Sequence, residues 1–213
     1  MAISNYTELQ AAVASYLARG DLTAIIPDFV TLAEAKINRV LLHPRMETRT
    51  TLTVNTLLSD PEFIDLPTDF QTMRSVRLSG VTGKPRLNFL TQTQIDDYRY
   101  SIDNVSDQPA YFSIVGDEME LAPTPNEDFD VEVLYRANIP ALASNSTNWL
   151  LTLAPDLYLY ATLLESAPYV GRDERISVWG SAMVEVLDQL NIHGERQSFN
   201  SGPTTISLPG VTP

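Results

Sequence analysis

The sequence predicts an α+β protein: a helical bundle formed by both termini, with an inserted β-rich domain and an extended C-terminal tail. Three observations carry this expectation. Apolar residues recur at three-to-four spacing near both ends of the chain. Between them lie short β-branched runs punctuated by Gly, Pro, Asn and Asp. Beyond Ile192 the periodicity stops. The expected division is 1–44 with 141–193 for the bundle, 45–140 for the insert and 194–213 for the tail. An insert of about 95 residues is an ordinary domain size.

The first helix starts where Asn5 can cap and Glu8 can reach back. Leu9, Ala12, Val13, Tyr16 and Leu17 then share a face, and Gly20 suits a C-cap. Asp21 opens a short helix through Ile26. Pro27 fits the first turn of a third, in which Phe29, Ala33, Ile37, Val40 and Leu41 line one side and Pro44 is the stop. From Arg45 the pattern changes to strand, with Thr48, Thr50, Thr51, Thr53 and Val54 first. Further strands are expected at Phe63–Leu66, Thr72–Leu78, Ala110–Val115, Met119–Leu121 and Phe129–Arg136. Gly116-Asp117 marks a hairpin. Gly80 and Gly83 mark a polar turn. Thr91 with Gln94 signals one helix through Tyr98. A residue before proline avoids the helical region, so Leu66-Pro67 and Ala122-Pro123 are extended corners. Helix resumes after Trp149-Leu150, with Pro155 in a first turn followed by Leu157, Tyr160, Ala161, Leu164 and Glu165. Pro168 and Gly171 break it. A last helix spans Arg172 to Ile192 and buries Ile176, Trp179, Met183, Val186, Leu187 and Leu190.

The chain has 213 residues, 44% of them hydrophobic, which supports a substantial core. It contains no cysteine, which excludes disulfide scaffolds, thiol nucleophiles and thiolate metal sites. No run of eighteen apolar residues occurs, and the start lacks the basic-then-apolar pattern of a secretory signal, so no membrane role is expected. Formal net charge is −13, from 14 basic and 27 acidic residues. Residues 45–140 carry eight basic and sixteen acidic groups, so the acidity concentrates there. Such a surface repels phosphate, and sequence-independent DNA binding is not expected. Only Lys36 and Lys84 are lysines; the other basic residues are arginines. Arginine suits planar, bidentate contacts with carboxylates across an interface.

Motifs that carry chemistry are scarce. His43 and His193 each follow an expected helix; they are a catalytic pair only if the fold joins them, and otherwise helix-end residues near exposed carbonyls. There is no H-E-x-x-H, G-x-S-x-G, P-loop or G-x-G-x-x-G. Glu127 to Glu132 lacks the glycine and spacing of a calcium loop and reads better as a strand with one wet face. Carboxylate pairs drawn from Asp69, Asp96 and Asp117 arise by chance among 27 acidic residues. Tyr98, Tyr100, Tyr111 and Phe112 either stack a ligand or pack a hairpin, and acidity disfavours nucleic acid. No catalytic residue, metal site or cofactor is expected. In the tail, twelve of twenty residues are Gly, Pro, Ser or Thr. Yet Phe199, Ile206, Leu208 and Val211 are spaced apolar residues, and Thr205 to Leu208 alternates like a strand seeking an edge.

Several short segments then form an ordered series. Tyr6-Thr7-Glu8-Leu9-Gln10 opens the first helix, followed by Ile26-Pro27-Asp28-Phe29-Val30 and Ala33-Glu34-Ala35-Lys36-Ile37-Asn38-Arg39. Leu66-Pro67-Thr68-Asp69-Phe70, Pro109-Ala110-Tyr111-Phe112, Gly116-Asp117-Glu118 and Leu121-Ala122-Pro123-Thr124-Pro125 come next. Asn148-Trp149-Leu150-Leu151 and Ala154-Pro155-Asp156-Leu157-Tyr158-Leu159-Tyr160 complete the series. In order and spacing they resemble the head–tail adaptor (connector) proteins of tailed bacteriophages. The resemblance implies a non-enzymatic virion protein of the head–tail neck, assembled in the bacterial host cytoplasm. It implies a homo-oligomer ring of roughly twelve copies beneath the portal protein. A tail or nozzle protein would meet the lower face, and DNA would pass through without specific binding. It also implies that the C-terminal segment reaches the portal or a neighbouring subunit, with Phe199, Ile206, Leu208 and Val211 as the contacts. The alternative is another neck or minor tail component of the tail-terminator type.

Overall fold

The computed structural model describes residues 3–80, 82–83, 85–171 and 173–198. The chain divides into two compact units, one drawn from both of its ends and one formed by Arg45–Asn138. The first unit opens with α1 (Tyr6–Leu17) and α2 (Ile26–Val40). The second contains β1 (Glu47–Thr53), β2 (Phe63–Asp65), β3 (Phe70–Ser79), β4 (Arg86–Phe89) and α3 (Gln92–Ser101). It ends with β5 (Tyr111–Val115), β6 (Glu118–Ala122) and β7 (Asp130–Ala137). The first unit then resumes with α4 (Trp149–Leu153), α5 (Pro155–Glu165), α6 (Ala167–Val170) and α7 (Arg175–Ser198).

In the helical unit α5 is the centre, packed by α1, α2 and α7. Leu157, Tyr158, Leu159, Ala161, Thr162 and Leu163 are all buried, so apolar residues line nearly its whole circumference. Such a helix belongs inside a bundle rather than on its surface. α1 begins as expected: Asn5 Oδ1 accepts from the Glu8 N–H at 2.9 Å. The Glu8 carboxylate reaches one residue further back, taking the Ser4 N–H and hydroxyl at 2.7 Å each. α1 ends at Ala18, which adopts φ 53, earlier than the expected cap at Gly20. Tyr16 is consequently 48% exposed rather than in the core. Asp21 starts no helix through Ile26; Gly20–Leu22 is a single 3-10 turn. α2 stops at Val40, with Leu41 extended, and Pro44 opens another short turn, Pro44–Met46.

In the β unit seven strands form one sheet in the order β1-β7-β3-β4-β5-β6-β2. Every pairing is antiparallel except β4 with β5. The two edge strands line one cavity of about 570 Å³, so the sheet curls toward itself. Val76, Leu78, Leu87, Met119, Leu121, Val131 and Val133 fill its inner face. β7 shows why: exposed or half-buried residues alternate with Val131, Val133, Tyr135 and Ala137. β4 was not expected. It sits just after the Gly80–Gly83 turn and has a single inward residue, Leu87, which gives no visible alternation.

α7 corrects the reading of the C-terminal segment. Residues 194–198, expected as the start of an extended tail, continue this helix to Ser198. Gly194 is buried there, where the 42–44 segment passes too close for a side chain. A Cβ would stand 2.9 Å from Pro44 Cδ and 3.1 Å from the Leu42 carbonyl oxygen. At Gly180 of the same helix the nearest atom is Leu164 Cδ2, at 3.9 Å.

These two glycines should therefore respond oppositely to alanine. Gly194→Ala overpacks a backbone contact and should cost about 1–3 kcal/mol. Gly180→Ala makes only an ordinary contact with Leu164 and removes helix-interior flexibility, so it should gain about 0.5–1 kcal/mol. Urea unfolding midpoints of the two variants check the sign of each.

Candidate functional site

The returning chain after the β unit is anchored by polar groups on α2. Asn38 Oδ1 accepts from the Ile139 N–H at 2.9 Å, and Glu34 Oε1 accepts from the Leu142 N–H at 2.9 Å. The two acceptors are one turn apart, so they face the same segment. Asn148 completes the arrangement. Its side chain caps α4 by accepting from the Leu151 N–H at 2.8 Å. It also donates to the Pro140 carbonyl at 2.8 Å and to the Tyr158 hydroxyl at 2.7 Å. The Tyr158 hydroxyl in turn faces Glu34 at 3.4 Å. Burial pushes the Glu34 carboxyl above its ordinary value, against the Leu142 and Tyr158 hydrogen bonds that favour its charge. Burial also raises the Tyr158 hydroxyl.

The two histidines do meet. Leu42 N–H donates to Asn191 Oδ1 at 2.9 Å, which brings α7 against the segment following α2. The His43 and His193 rings then stack with centroids 5.9 Å apart, and Trp149 lies 5.3 Å from His43. His43 is buried and His193 exposed. His193 lies inside α7 rather than past its end. The geometry is aromatic packing at a helix crossing. Among the described residues no group of three or more His, Asp or Glu is placed to hold a metal ion.

The other sequence candidates separate. Asp128 accepts from the Thr56 N–H at 2.8 Å and its hydroxyl at 2.7 Å, and Asp130 from Thr53 at 3.0 Å, so this acidic run braces the loop after β1 and the end of the β1–β7 pairing. Asp69 accepts from the Tyr135 hydroxyl at 2.8 Å. With burial, that partner pushes the phenol up to about 12. Tyr98 packs edge-on against Tyr111 at 4.8 Å, and Phe112 against Phe89 at 5.6 Å. Tyr100 stands apart, 87% exposed, so the four rings form no common platform. The tail residues Phe199, Ile206, Leu208 and Val211 lie outside the described residues.

One feature with no counterpart among these candidates is a buried ion pair on the outer side of the sheet. Arg99 of α3 meets Glu120 of β6 at 2.8 Å, with Glu62 at 3.8 Å. Its second amino group donates to the Leu121 carbonyl at 3.0 Å. Glu120 is almost fully buried, and this charge-assisted clamp holds α3 on β6. The networks found thus join elements together rather than facing a bound molecule.

A family model described as SU10 adaptor protein matches residues 4–207. The chain belongs to that family. This agrees with the resemblance to phage head–tail adaptors drawn from the ordered segments. No curated protein matches the chain. Among the described residues no helix is long and apolar enough to cross a membrane.

For an adaptor the working parts are surfaces, and two stand out. The loop between β1 and β2 carries Leu57 and Leu58 outward, with Leu57 90% exposed. Asn55 holds that tip by accepting from the Leu57 N–H at 3.0 Å, while Thr56 is held by Asp128. A cavity of about 570 Å³ lies beside α7, lined by Leu153, Ala154, Leu190, His193 and Arg196 among others. It sits at the C-terminal end of α7, just before the chain continues to Phe199.

Glu34 generates a test of the anchoring network. A carboxyl raised in the folded state holds its proton more tightly there than in the unfolded chain. Its stabilising contribution is complete below the ordinary carboxylate range and is lost as pH rises through the raised value. Glu34→Gln keeps an oxygen for Leu142 and removes that loss. Its unfolding midpoint should therefore vary less with pH between about 4 and 7 than that of the parent. Glu34→Ala strands the Leu142 N–H and should cost about 1–3 kcal/mol. Denaturant titrations across that pH range check both outcomes.

Proposed function

We propose that this chain is a structural head–tail adaptor, without enzymatic activity, that docks as a ring beneath a phage portal protein. It connects the portal to a tail or nozzle protein and leaves a passive channel for DNA. Family membership over residues 4–207 is the observation that carries this reading. A net charge of −13 supports the passive channel, because like charge keeps a duplex from sticking to the wall. By resemblance the ring holds about twelve copies with closed cyclic symmetry. The functional division is a bundle of 1–44 and 139–198, an inserted domain of 45–138 and a C-terminal contact segment beyond Ser198. That segment places Phe199, Ile206, Leu208 and Val211 against the portal or an adjacent copy. The working location is the virion neck, reached after assembly in the host cytoplasm.

Three measurements test this reading. The charge opposes self-association, so purified protein should be largely monomeric at micromolar concentration, with the portal templating the ring; stable dodecamers by light scattering would contradict it. Duplex DNA should not be retarded at physiological salt, whereas micromolar binding with a steep salt slope would end the passive-channel reading. Deletion from Phe199 onward should leave the fold intact and abolish stable docking on portal rings. Unchanged portal affinity would remove the segment from the mechanism. A reconstruction of the virion neck placing the chain away from the portal would favour the tail-terminator alternative.

A further inference from the structure

The curled sheet carries two cross-strand pairs of like charge, opposite in sign, and among the described residues neither has a counter-ion within ion-pair distance. On the first, β3 and β4 set Arg77 directly opposite Arg86. Both are exposed, and both point outward, since Val76, Leu78 and Leu87 beside them fill the core. Among the described residues neither guanidinium has an ion pair or side-chain hydrogen bond. Their neighbours differ: Arg74 pairs with Glu47 at 3.1 Å, and Glu132, which stands opposite Arg77 on β7, is taken by Arg49 at 3.8 Å. On the second, β2 and β6 set Asp65 directly opposite Glu118. These too are exposed and outward, flanking the buried Ile64 and Met119, and neither has an ion pair or side-chain hydrogen bond among the described residues.

Like charges directly opposite one another destabilise a sheet. Here the cost is incurred twice with opposite sign, and the chain contains both halves of the remedy. They cannot meet within one copy. β5 lies between β4 and β6. Arg86 precedes Asn88, which faces Tyr111, and Glu118 faces Val115, so the pairs are offset by about six residues, roughly 20 Å along the strands. Two copies have no such obstacle.

We propose that the arginine pair Arg77–Arg86 of one copy docks on the acidic pair Asp65–Glu118 of a second copy, as a head-to-tail contact. Guanidinium planes on paired carboxylates form the strong, oriented kind of ion pair, which lysine would not supply equally. The contact is heterologous, since each copy offers one patch and receives with the other, and heterologous contacts close into rings when the rotation permits. The proposal rests on the ring assembly proposed above and names its self-contact. Phosphate is the poorer occupant. The unit holding the arginines is acidic overall, and Glu47, Asp130 and Glu132 lie on the same face as the arginines.

The absence of cysteine makes disulfide trapping a clean test. R86C and E118C are prepared separately, with thermal unfolding to verify the fold, and oxidised at high protein concentration, alone and mixed. The mixture should yield heterodimer at least about tenfold above either homodimer, because the homodimers juxtapose like charges. Trapping should fall away near 1 M salt, where screening acts within about 3 Å. Equal trapping in the mixture and in the single variants would overturn the proposal. So would its suppression by duplex DNA at physiological salt, which would reassign the arginines to phosphate. A second arm uses sedimentation of R77E/R86E mixed with D65R/E118R. These should pair with each other and not with themselves, and failure to pair also overturns the contact. Trapping without any ring on a portal would refute the adaptor placement and leave this contact standing. A ring on a portal with no trapping would do the reverse.

Discussion

The helical unit depends on how the chain is received when it comes back from the β unit at Ile139. A segment with no regular structure brings buried N–H groups into an apolar bundle, and each needs an acceptor. Asn38 and Glu34, one turn apart on α2, supply two of them. Asn148 supplies the next, at the start of α4, and ties the Pro140 carbonyl and the Tyr158 hydroxyl into the same arrangement. With these in place α4 starts from a satisfied cap, and α5 can be apolar on nearly every side. The cost is a carboxyl held in a site that disfavours its charge. That cost is tolerable because its oxygen meets a backbone donor.

The β unit solves a different problem with similar means. Its inner face is an alternating apolar surface, and its outer face is charged. Where α3 covers the outer face, Arg99 enters as a half-buried cation and the buried Glu120, with Glu62, meets it. Where nothing covers it, Glu47 and Glu132 pair with neighbouring arginines at the surface, where such pairs contribute little stability. The fold therefore spends its well-placed charges on fixing α3 and leaves a few exposed ones unmatched.

Much of the fold was legible because its strongest signals are local. The Asn5 cap, Pro27 and Pro155 in first turns and the Gly116 hairpin each act within four residues. What escaped is what depends on distant neighbours. β4 is a strand because β3 and β5 hold it, and Arg86-Leu87-Asn88-Phe89 has no alternation to announce that. Tyr16 sits at core spacing, but α1 ends at Ala18 and leaves it outside. Gly194 looked like the start of a loop because a glycine near a helix end usually is; only the passing 42–44 backbone explains a buried glycine in mid-helix. Glu34 and Asn38 sit beside the apolar stripe of α2, but nothing in their spacing announces the N–H groups they receive from 139 and 142. The opposed arginines were not visible, since Arg77 meets Arg86 only through the β3–β4 pairing and β4 itself carried no signal.

The extension of α7 to Ser198 changes the arithmetic of anything attached beyond it. A helix advances about 1.5 Å per residue against about 3.3 Å for extended chain, so five residues that would have added reach now add direction instead. The fifteen residues after Ser198 span at most about 50 Å, measured from a point braced against 42–44. For the contacts proposed at Phe199, Ile206, Leu208 and Val211, the end of α7 is therefore the origin from which reach is counted, a ruler laid down before any chemistry.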